Sequence, residues 1–136
     1  MDLFICCSKH FYSEIPPIQA KLEDMGHIIT LPNSYDNPML EYEIQHESKD
    51  AHIKWKGDMF RQSKRTIKMN DAILVLNFMK KGIPNYIGGA TFIEMYEAFD
   101  MKKGIFLYNP IPEGMLQDEI KGFNPTLIEG NLERIV

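Results

Sequence analysis

Asp71-Ala72-Ile73-Leu74-Val75-Leu76-Asn77 decides the fold, because it is an unbroken apolar run closed by a polar residue. A strand with one solvated face alternates apolar and polar residues, whereas one that is apolar throughout must be covered on both faces. This segment therefore reads as the central strand of a parallel sheet. Leu3-Phe4-Ile5-Cys6-Cys7 is a second such run, and between the two lies chain that reads as helix, strand and helix. Pro16-Pro17 suit a first helical turn, Ile18, Leu22 and Met25 recur at helical spacing, and Gly26 stops that helix. A strand from His27 to Leu31 closes at Pro32, Asn33 to Pro38 is rich in turn formers, and Leu40 to Met69 reads as one long helix or two. On that long segment His52, Trp55, Met59, Ser63 and Ile67 form the expected core-facing stripe, with the lone Trp read as core. Beyond the central strand, Gly88-Gly89 opens a helix that Gly104 is expected to end. The strand Ile105-Phe106-Leu107-Tyr108, a short helix near Met115 to Ile120 and a strand at Thr126-Leu127-Ile128 complete the series.

Repeated strand and helix units imply a parallel sheet with helices on both faces, since right-handed crossovers place them there. With five strands the expected architecture is an α/β, flavodoxin-like (Rossmann-like) three-layer sandwich of strand order 2-1-3-4-5. No repeat or linker divides the chain, so residues 1–136 are expected to form a single domain. In this order the loops after the first and third strands flank the topological switch point, where open α/β sheets take their ligands. Ser8, Lys9 and His10 are thereby placed beside Asn77 and the Gly88-Gly89 turn. Asp71, at the opposite end of the central strand, is assigned to structure.

Composition excludes several classes of function. A net charge of −4 with scattered cations leaves no footprint for polymeric nucleic acid or an anionic membrane surface. No apolar run approaches the roughly 20 residues that span a bilayer, and Met1-Asp2-Leu3 does not begin a leader of basic and then apolar residues. A cytoplasmic protein is expected. Cys6 and Cys7 are the only cysteines, and neighbours in a strand point to opposite faces, so they are expected to be reduced. His46-Glu47 starts like a zinc-binding helix, but Asp50 stands where the second histidine belongs. Neither metal nor cofactor is expected. Cys6-Cys7-Ser8 and Asn77 occupy places where phosphoacceptor receivers of this topology need acidic residues, and no GxGxxG follows a strand.

The residue with most chemistry in it is Glu94, in Gly88-Gly89-Ala90-Thr91-Phe92-Ile93-Glu94-Met95-Tyr96-Glu97-Ala98. A carboxylate behind a glycine turn at a helix start can serve catalysis, since backbone N–H groups there meet a ligand closely. Thr91-x-x-Glu94 equally fits a capping box, in which Glu94 would only hold its own helix. Taken with Leu22-Glu23-Asp24-Met25-Gly26-His27, the run Asp71 to Asn77 and Lys103-Gly104-Ile105-Phe106, this stretch resembles the nucleoside 2-deoxyribosyltransferase superfamily. That superfamily includes N-glycosidases acting on deoxynucleoside 5′-monophosphates, and the resemblance spans nearly the whole chain. It implies that Glu94, matching the glutamate of a D-x-G-T-x-x-E-x-G-x-A-like pattern, is the nucleophile that attacks the anomeric carbon of the sugar. It further implies a homo-oligomer, with the Leu40 to Met69 region the expected contributor to a neighbour's pocket. Gly88 stands where the family has aspartate, Ala90 where it has glycine, and Tyr96 where it has a small residue.

Cleaving an N-glycosidic bond needs a carboxylate to trap or stabilise the oxocarbenium-like centre and a proton for the leaving base. Cys7, Ser8, Lys9, Asn77, Gly88 and Gly89 are the expected substrate-binding residues, with Ser8 and Lys9 placed to meet a 5′-phosphate. Phe11, Tyr12 and Tyr86 could stack on a base or pack on the scaffold. The expected function is cleavage or transfer at the N-glycosidic bond of a (deoxy)nucleoside or nucleoside 5′-monophosphate. Its rival is a noncatalytic nucleotide-binding or sensing module on the same fold.

Overall fold

The computed structural model describes residues 1–136. Its strands are Asp2–Cys6 (β1), Ile28–Thr30 (β2), Ala72–Val75 (β3), Gly104–Leu107 (β4) and Thr126–Leu127 (β5). All pair in parallel, in the order β2-β1-β3-β4-β5, so the run Ala72–Val75 is central as its composition requires. Alternate residues of each strand feed opposite layers. Leu3, Ile5 and Leu74 pack with Ile15, Ile18 and Leu22 of the helix Ile15–Asp24 (α1). Phe4, Cys6, Ile73 and Val75 pack on the other side, against Ile67 of Lys49–Met69 (α3), Met95 and Ala98 of Gly89–Asp100 (α4), and Ile120 of Gln117–Phe123 (α5). This is the α/β three-layer sandwich of flavodoxin-like order.

The segment Leu40 to Met69 is two helices. Leu40–Glu47 (α2) ends where Ser48 adopts extended backbone, and the Ser48 hydroxyl accepts a hydrogen bond from Ala51 N at 3.0 Å to start α3. No residue of α2 is buried, so this helix lies on the outside of the molecule. Gly26 (φ +94) terminates α1 as expected. Gly104 has a different role from the helix stop foreseen: α4 ends at Asp100, Lys102 takes the left-handed turn (φ 58), and Gly104 opens β4. A Cβ on Gly104 would lie 3.0 Å from the Ala72 Cβ, so close strand packing is what requires glycine there. Asp71 is structural, its carboxylate accepting from Asp2 N at 2.8 Å to tie the start of β3 to β1.

Candidate active site

At the carboxyl ends of β1 and β3 a cavity of about 320 Å³ opens between the loop after β1, the loop after β2, α3 and the start of α4. Cys7, Ser8, Lys9, Gly88, Gly89 and Glu94 all line it. Six of the seven residues singled out from sequence therefore meet in one place. Asn77 does not. It is fully buried, its amide donating to the carbonyls of Asn109 (3.1 Å) and Pro110 (3.0 Å) while its Oδ1 accepts from Asn109 N at 2.8 Å. A polar residue closing a buried strand need not reach for ligand. Here every polar atom of that side chain is used to clamp the loop after β3 to the loop after β4.

Glu94 is the sixth residue of α4, which starts at Gly89 behind an N-cap at Gly88. A capping-box glutamate must be the third residue of its helix, a place taken by Thr91. The capping interpretation therefore fails on geometry. Glu94 instead reaches across to α3, where its Oε2 accepts from Ser63 Oγ at 2.9 Å. Ser63 Oγ in turn accepts from Asn33 Nδ2 at 2.8 Å, a residue of the loop after β2. Burial pushes the Glu94 carboxyl up to about 7, and hydrogen bonds from Ser63 and the Cys6 thiol, with the charge of Lys56, restrain the rise. Near neutrality this carboxyl is thus divided between its acid and base forms.

Around it the walls are mixed. Burial pushes the Cys7 thiol up to about 12, with the nearby Glu94 charge acting the same way, so this thiol is neutral and unreactive at neutral pH. The loop after β1 winds into a 3-10 turn at Lys9–Glu14, started by Ser8, whose Oγ accepts from His10 N at 3.2 Å. Lys9 pairs with Glu41 of α2 at 3.7 Å, and the same carboxylate meets Lys56 at 3.4 Å and His52 at 3.0 Å, both from α3. Although burial works against it, the His52 hydrogen bond and the Lys56 charge hold Glu41 below the usual carboxylate range. Gly89, Ala90 and Thr91 present the start of α4 to the cavity with no side chain capping it, which favours negative charge in a ligand. Lys80 lies 4.7 Å from the centre of the Tyr86 ring.

Neither glycine of the turn is in the left-handed region; Gly88 is extended (φ −83, ψ 175) and Gly89 is helical. Close approach is what distinguishes Gly88, since a Cβ there would meet Tyr86 Oη at 3.1 Å. Tyr86 thus overlies the place from which a side chain at position 88 would enter the cavity. Of the aromatic candidates, Tyr12 and Tyr86 line the cavity, and Phe11 is buried against Phe78 and Tyr86.

Sequence reasoning missed Asn33, Glu41, Trp55, Lys56 and Ser63. Ser63 had a visible signal: it is the one small polar residue in an otherwise large-residue core-facing stripe, and a buried hydroxyl demands a partner. Trp55 is not the core residue that its apolar bulk suggests but stands in the cavity wall, and its Nε1 is the one buried side-chain N or O atom without a hydrogen-bond partner. No group of three or more His, Cys, Asp or Glu side chains is arranged to hold a metal ion, and no helix is long and apolar enough to cross a membrane. No protein-family model matches the chain, and no curated protein matches it.

Proposed function

We propose that this protein cleaves or transfers at the N-glycosidic bond of a (deoxy)nucleoside or nucleoside 5′-monophosphate, with Glu94 as the nucleophile. The observation that carries the reading is the placement of Glu94: a carboxylate withdrawn from its own helix cap, held by Ser63 and facing a switch-point cavity. A hydroxyl holds one oxygen of a carboxyl that lines the cavity, which suits displacement at an anomeric centre. The uncapped start of α4 with Lys9 and Ser8 gives an anionic 5′ end a place to sit, and Tyr12, Tyr86 and Trp55 offer apolar surface for a base. The homo-oligomer and cytoplasmic setting implied by the resemblance belong to the same reading.

A second reading, a noncatalytic nucleotide-binding or sensing module, is favoured by one feature. Gly88 leaves the cavity without the aspartate that the resemblance would place there, and the other cavity carboxylate, Glu41, is engaged by Lys9, Lys56 and His52. Incubation with a panel of nucleosides and deoxynucleoside monophosphates, followed by chromatography for free base, separates the two. Base release supports the enzyme, and binding without release supports the module.

A further inference from the structure

Three side chains from three separate elements form one line: Asn33 after β2, Ser63 on α3 and Glu94 on α4. Its direction is set by the partners. Asn33 Nδ2 faces both Ser63 Oγ (2.8 Å) and the carbonyl oxygen of Met59 (3.3 Å), and a carbonyl only accepts, so the atom there is the amide nitrogen. Ser63, 6% exposed, has a single proton, and because Asn33 donates to its oxygen that proton is free to go to Glu94 Oε2. Oε1 takes no backbone or hydroxyl partner, Glu94 lines the cavity, and the Cys6 thiol is the one other hydrogen-bond donor to the carboxyl.

We infer that Asn33 and Ser63 are positioning residues, a one-way donor relay that locks Glu94 through Oε2, reserves Oε1 as the reacting oxygen and ties the charge state of the carboxyl to the seating of the loop after β2. This deepens the proposed glycosyl chemistry and rests on it only for its catalytic consequence. Ser34 and Pro38 of the same loop also line the cavity, so a ligand that moves the loop moves Asn33 with it. When Asn33 withdraws, Ser63 loses the donor that polarises its hydroxyl, and the carboxylate loses part of its stabilisation. The other titratable groups about Glu94 are Cys6 and Cys7 from the end of β1, Tyr12 from the 3-10 turn and Lys56 from α3. Burial holds Cys6, Cys7 and Tyr12 neutral at neutral pH, leaving Lys56 as the charge that acts alongside the relay.

The test is a carbon-13 NMR titration of the side-chain carboxyl of Glu94, assigned by its loss in Glu94→Gln, which needs no turnover. Ser63→Ala should move the midpoint upward by about 1 pH unit, and Ser63→Thr, which keeps the hydroxyl, should restore it. Asn33→Asp is nearly isosteric but accepts where the amide donated; it competes for the Ser63 proton and should raise the midpoint at least as far. Asn33→Ala should raise it less. Should Ser63→Ala fail to fold, Asn33→Asp against Asn33→Ala decides. A midpoint unchanged in Ser63→Ala, or an Asn33→Asp midpoint no higher than that of Asn33→Ala, overturns the relay. Expected shifts in a protein that releases no base would leave the relay standing and reject the glycosyl reaction.

Discussion

Replacing Glu94 by Gln should make the protein more stable and less active, a pairing that no capping or purely structural role would produce. The folded state holds the Glu94 proton up to about pH 7, whereas the free carboxyl gives it up near 4.5. Between those values the unfolded chain loses its proton first, so stability falls as pH rises, and above about 7 the full penalty is present. The interval between 4.5 and about 7 corresponds to about 3 kcal/mol of strain from burying the charge. Glutamine is of like size, can accept from Ser63, and carries no charge, so it should recover most of that amount at pH 8.5 and almost none at pH 4. For a chain of 136 residues about 3 kcal/mol is roughly 10 °C in Tm. Melting curves of both proteins at the two pH values measure this directly, and base release measured beside them should fall about a thousandfold or more in the variant. A variant that melts lower than the parent at pH 8.5 would refute the electrostatic argument. Retained base release would refute the nucleophile.

If Glu94 attacks as the carboxylate, kcat/KM should climb roughly tenfold per pH unit below about 7 and level off above it, as a rate profile from pH 5 to 9 would show. Asn77→Ala removes a side chain that makes three hydrogen bonds to the loop after β4, and denaturant melts should show a loss of about 2–4 kcal/mol, with ligand affinity preserved below the melting range. Gly104→Ala forces a methyl to within 3.0 Å of the Ala72 side chain at the exposed start of β4, and should cost about 1 kcal/mol by the same measurement without changing the cavity.

How much was legible in the chain follows from what each kind of signal depends on. The central place of Ala72–Val75 follows from burial on both faces, a property of short runs that the composition of this run displays. The convergence of Ser8, Gly88 and Glu94 followed as well, because a parallel sheet of this order brings the loops after its first and third strands together whatever residues they hold. Asn77 shows the limit: its position at a strand end was readable, but whether its amide meets a ligand or the Asn109 backbone depends on a loop 32 residues away. The same limit hid Asn33 and Ser63, which lie 30 residues apart and become partners only when the loop after β2 packs against α3. Local sequence determines which segments are buried and where strands end, since those depend on hydrophobicity and near neighbours. Only the tertiary structure decided which polar atoms share a proton, because that requires distances set by the packing of several elements at once.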